Sequence, residues 1–187
     1  MPTSELPVAS TPALPADLAA LGPSPLIASD DAATYDTLLA GMCAAVRPAD
    51  MIERTWTRDV VDLVWETLRL RRLKAALMTS CADQGMQKLL DGLNVPGDTH
   101  ALARRWAARE LAAVGEVDAV LGAAGLGLDH VMAKTLAARI AEIERIDRMI
   151  ASAEARRAAA LREIARHREQ FAARLRGAAA AHVEAAA

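Results

Sequence analysis

Aromatic side chains are scarce in this chain, with one Tyr, one Phe and three Trp among 187 residues. Ala, Leu, Arg and Glu dominate instead, and these are strong helix formers, so no sheet is expected. Cysteine is scarce too. Cys43 and Cys81 lie far apart and match no metal or redox spacing, which fits small buried hydrophobes in a reducing, cytoplasmic compartment. The N-terminus lacks a basic segment followed by an apolar run, and nothing approaches the roughly 20 apolar residues that span a bilayer. Neither secretion nor membrane insertion is expected.

Signatures of catalysis are missing as well. His100, His130, His167 and His182 are scattered and no His-Glu-x-x-His occurs, so no metal site is expected. The glycines from Gly122 to Gly127 have neither the Gly-x-Gly-x-x-Gly order nor a strand before them, and no Gly-Lys-Ser/Thr follows a glycine-rich loop. They read as a hinge. No local sequence pairs a Ser or Cys nucleophile with a base. We therefore expect no cofactor and a protein that is not an enzyme.

Positive charge is absent from the first quarter. Residues 1–46 carry five acids and no Lys or Arg, whereas residues 130–187 carry eleven basic residues against seven acids, within a net charge of -2. Carboxylates mixed into the basic segment weaken the field that a phosphate backbone would feel.

Six of the eight prolines fall in residues 1–28, where regular structure cannot propagate, so a disordered Pro/Ala-rich leader is expected there. A helical bundle region is expected over 29–128. Ser29 or Asp30 is placed to cap its first helix, which presents Tyr35, Leu38, Leu39, Met42 and Val46 on one face and ends before Pro48. Pro48 suits the first turn of a second helix, where Ile52, Trp56, Val60, Leu63, Val64, Trp65, Leu68 and Leu73 form a broad apolar surface. Helical pattern continues to Leu90 with a candidate break at Gly85, then turns at Asn94-Val95-Pro96-Gly97. Asp98 or Thr99 starts a third helix through Trp106 to Leu121, weakened at Gly115. Trp56, Trp65 and Trp106 each fall on an apolar stripe, which points to core packing rather than a stacking platform.

The last helix is expected over 129–176, capped by Asp129, with a frayed Ala-rich tail at 177–187. One heptad register places Leu136, Ile143, Ile150, Arg157, Ile164 and Phe171 in one row and Ile140, Asp147, Glu154, Leu161, Arg168 and Leu175 in the other. From it, Leu136, Ile140, Ile143, Ile150, Leu161, Ile164 and Phe171 form the candidate helix–helix interface. The fold class expected is thus all-α: a small helical bundle with a long C-terminal coiled-coil-like helix.

Two polar groupings stand out. Asp59, Asp62, Glu66, Arg69 and Arg72 recur at three- and four-residue spacing, as in a strip of paired carboxylates or a salt-bridged helix face. Arg156, Arg157, Arg162, Arg166 and Arg168 are the candidate nucleic-acid contacts.

The stretch from Asp30 to Met78 resembles a family of uncharacterised bacterial helical proteins. The resemblance rests on Asp30-Asp31 before Tyr35, Pro48, Glu53 and Trp56, and on the block Asp59-Val60-Val61-Asp62-Leu63-Val64-Trp65-Glu66 leading to Arg69-Leu70-Arg71-Arg72-Leu73-Lys74. It extends to Ile143-Glu144-Arg145-Ile146-Asp147-Arg148-Met149-Ile150, Ala153-Glu154-Ala155-Arg156-Arg157 and Leu161-Arg162-Glu163-Ile164. The resemblance carries no catalytic residue. Longer relatives place a basic leader before the acidic start, whereas the leader here is acidic. The expectation that emerges is a helical interaction or self-assembly module with protein partners, including itself as a homo-oligomer. The alternative is a nucleic-acid-associated accessory protein, as of a mobile element.

Overall fold

The computed structural model describes residues 21–185, and these contain seven α-helices and no strand. The all-α class and the long final helix are as expected. Most of the predicted leader, residues 1–20, lies outside the described residues.

Helix α1, Ala32–Val46, is capped by Asp31, whose Oδ1 accepts from the Ala33 N–H at 3.0 Å. Asp30 instead accepts from the Ile27 N–H, tying down the approach to the helix. The helix ends at Arg47, which is left-handed at φ 51° and donates its N–H to the Cys43 carbonyl. Helix α2, Met51–Ser80, begins three residues after Pro48 rather than at it. Asp50 is its effective cap, because the Glu53 N–H bonds Asp50 Oδ1 at 2.9 Å.

The predicted break at Gly85 falls instead at Cys81, between α2 and α3, Ala82–Gly92. The expected third helix is two helices, α4 (Thr99–Ala107) and α5 (Leu111–Ala123). The chain turns between them at Arg109, left-handed at φ 61°, and the Glu110 carboxylate receives Arg105 Nε at 2.8 Å across the turn. The last helix is also split, into α6 (Leu128–Ala138) and α7 (Ile140–Ala185). Gly127 precedes α6, and its N–H bonds His130 Nδ1, so Asp129 lies in the first turn and does not cap.

The chain divides into two compact units, one formed by residues up to Thr67 with those from Ser152 onward, the other by Leu68–Ala151. That division falls within α2 and α7. In the first unit Tyr35, Leu39, Val61 and Trp65 are buried together, with the Tyr35 and Trp65 rings edge-to-face at 5.5 Å. Leu21 and Leu26 pack against them, so the end of the predicted disordered leader belongs to a core. Two threonines are buried on α2. Thr57 and Thr67 satisfy their hydroxyls by donating to the carbonyls of Glu53 and Leu63, one turn back.

In the second unit α3 packs against α4 and α6, and α4 against α5. Met86, Leu90, Leu102, Val117 and Val131 lie at the centre. Gly85 sits where α3 meets α6: a Cβ there would stand 2.0 Å from Thr135 Oγ1 and 2.5 Å from the Val131 carbonyl oxygen. The glycine permits the close approach and does not break the helix. No single helix among the described residues is long and apolar enough to cross a membrane.

Candidate functional site

Arg168 of α7 ties together the end of α1 and the start of α2. Its Nε and Nη2 donate to Glu53 Oε1 and Oε2 at 2.9 and 2.7 Å, and Nη2 also reaches the Val46 carbonyl at 2.8 Å. A planar five-donor guanidinium suits this double task, because it can fork onto a carboxylate and still spend a proton on an orphan helix-end carbonyl. Glu53 is only 2 % exposed, and its Oε2 also accepts the Ala49 N–H at 2.9 Å, which resembles a capping box shifted by one residue. The Arg168 guanidinium holds the Glu53 carboxyl below its ordinary value, against the opposing effect of burial.

One position earlier, His167 Nε2 lies 2.7 Å from Asp50 Oδ2, and its ring meets Trp56 edge-on at 5.6 Å. The Glu53 N–H and the His167 bond both keep the Asp50 carboxyl low. A His–Asp pair has the parts of an acid–base dyad, and here one Asp oxygen caps α2 while the other meets the histidine. The arrangement fastens helices.

Beside this clasp runs an open groove of about 830 Å³. Its apolar walls come from Ala44, Ala45 and Val46 at the end of α1 and from Phe171, Ala172 and Leu175 on α7. Phe171 and Leu175 are each 57 % exposed. Beyond them α7 continues to Ala185 with every side chain exposed.

The carboxylate strip does not gather as a unit. Tyr35 Oη donates to Asp62, Arg58 Nε donates to the same oxygen at 3.3 Å, and the Arg58 guanidinium lies over the Tyr35 ring. Burial and the Asp62 bond push the Tyr35 phenol well up, so it stays a neutral donor. Asp59 is raised by partial burial and by Asp62, with Arg156 opposing. Glu66 joins neither group. Arg58, four residues before Asp62, is a partner that the sequence grouping did not include.

The candidate interface on α6 and α7 also separates. Ile143 and Ile164 are buried and Ile150 half-buried, whereas Leu136, Ile140, Leu161 and Phe171 are exposed. The second row of the α7 heptad is Ile146, Ala153, Ala160 and His167, three residues after each first-row position and not four. Charged Asp147 and Arg168 thereby move to the edges, where Asp147 meets Lys74 within the second unit and Arg168 meets Glu53 within the first.

The five candidate nucleic-acid arginines divide between two sides of α7, Arg157 and Arg168 on one and Arg156, Arg162 and Arg166 within about 120° of one another on the other. Arg157 is half-buried on the seam, Arg168 is committed to Glu53, Arg156 faces Asp59, and Arg166 pairs with Glu163 at 2.7 Å. Arg162 is exposed on the side away from the seam. Among the described residues no three His, Cys, Asp or Glu side chains cluster as metal ligands would.

Comparison with known protein families, with characterised proteins and with solved structures gives no match to this chain.

Proposed function

We propose that this chain is a non-enzymatic, cytoplasmic protein–protein interaction module and belongs to the uncharacterised bacterial helical family that its α2 and α7 segments resemble. One observation carries the reading: from Arg168 to Ala185 every residue of α7 except Ala172 is exposed, and this stretch includes Phe171, Leu175 and Val183. An isolated Ala-rich helix end gains little in water, and apolar side chains aligned on it gain free energy only when something covers them. The occupant is another polypeptide, either a different protein or a second copy.

A photo-crosslinking residue in place of Leu175 tests this in cells. Polypeptide adducts at position 175 that are absent from a control at Glu116 are the expected result. Nucleic-acid adducts at 175, with a high 260/280 nm absorbance ratio that falls on washing in high salt, would overturn it in favour of the nucleic-acid accessory reading.

A further inference from the structure

We propose that the groove between the end of α1 and α7 binds an acidic amphipathic helix of a partner protein. This rests on the interaction reading above and names its partner by chemistry. Shape is the first argument. The groove is concave, walled by two helices, and its apolar lining of Ala44, Ala45, Phe171, Ala172 and Leu175 matches the apolar stripe of a helix laid lengthwise. A flat bilayer would touch only its rims.

Charge is the second argument. Within the groove the polar side chains are already matched, Arg168 with Glu53 and His167 with Asp50. Arg47 is among the lining residues, and the adjoining exposed end of α7 carries Arg174 and Arg176. Arg47 lines the groove from its left-handed position after α1. At 100° per residue, Arg174 and Arg176 stand roughly 80° and 120° to opposite sides of the line through Phe171 and Leu175. Both are exposed, and none of the three has an ion pair among the described residues. The nearest acid on this end of α7, Glu169, lies on the Arg176 side, two helical turns away. An occupant whose apolar stripe covers Phe171 and Leu175 and whose flanks carry Glu or Asp brings acids toward Arg47 and Arg174. A second copy docking through the same surface would set Arg174 and Arg176 against their own like charges, which disfavours it.

The test uses the full chain and a fluorescein-labelled helical peptide of about 18 residues, built with Leu at i, i+3, i+4 and i+7 and Glu on both flanks. Its counterpart carries Lys in place of every Glu. Anisotropy should show saturable binding of the Glu peptide and none of the Lys peptide. Phe171→Ala with Leu175→Ala, and separately Arg174→Glu with Arg176→Glu, should each weaken binding at least about tenfold. The charge-reversed variant should now bind the Lys peptide. Circular dichroism should show native helicity in both variants, since these side chains are exposed.

Absence of Glu-peptide binding, or equal binding of the two peptides, overturns the proposal. So does a dimer in light scattering that the Phe171/Leu175 variant abolishes, which assigns the groove to a second copy. Binding to anionic lipid vesicles that the Glu peptide does not displace assigns it to a membrane instead. The in-cell adduct at position 175 reports separately: polypeptide adducts with no Glu-peptide binding would leave the interaction reading standing and remove only the acidic-helix assignment.

Discussion

Two residues show how much rests on single contacts. Gly85 looks in sequence like a helix breaker, yet its missing Cβ is what lets α3 approach α6, because backbone atoms of Val131 and Thr135 occupy the space a methyl would need. Gly85→Ala should therefore destabilise the chain by about 1–3 kcal/mol despite the better helix propensity of Ala, and thermal melting checks it. Glu53 is the second case. Its folded-state proton affinity is lowered chiefly by Arg168, so the unfolded chain takes up the proton more readily. The stabilisation is complete above the ordinary glutamate value of 4.5 and drains away as pH falls through the lower folded value. Denaturant unfolding between pH 7 and pH 3 should show Glu53→Gln less stable at neutral pH and with a flatter acid limb. Arg168→Ala should cost about 1–2 kcal/mol at neutral pH, the smaller part of the usual range because the guanidinium is half exposed.

At the level of elements, the sequence announced what rests on capping and periodicity. The existence of α1, the Asn94–Gly97 turn, Asp98 as the cap of α4 and a long final helix all follow from local chemistry. Three boundaries did not. The breaks at Cys81, Arg109 and Arg139 carry no Gly or Pro, and a left-handed Arg109 has no signature in a helical pattern. The candidate site was legible only in part: Phe171 and Leu175 sat in the predicted seam, but the Glu53–Arg168 clasp joins residues 115 positions apart, and no spacing rule reports that. Ile146, Ala153 and Ala160 were legible in the sequence as widening the apolar stripe where the second row is charged, at Asp147, Glu154 and Arg168. The true register puts Arg157 on the seam between buried Ala153 and Ile164. Arg157→Leu should raise stability by about 1 kcal/mol, read as a higher denaturation midpoint with unchanged slope.

For the whole molecule, the charge asymmetry between the two ends of the chain suggested phosphate binding, whereas in the fold Arg139, Arg148, Arg166 and Arg168 of the basic segment pair with carboxylates. Filter binding at low salt should accordingly detect no retention of DNA or RNA. Retention by the unmodified chain that disappears when Arg156, Arg162 and Arg166 are together replaced with Gln would restore the nucleic-acid alternative. The division into units bears on synthesis. Residues Leu68–Ala151 form an uninterrupted stretch, so every contact of that unit becomes available as soon as Ala151 clears the ribosome. The other unit is begun first and finished last: its early helices wait, with Glu53 and Asp50 still lacking their partners, until His167 and Arg168 have been translated. A nascent chain stalled before residue 167 would carry one finished unit and one open one, whose exposed apolar faces are a natural substrate for a chaperone.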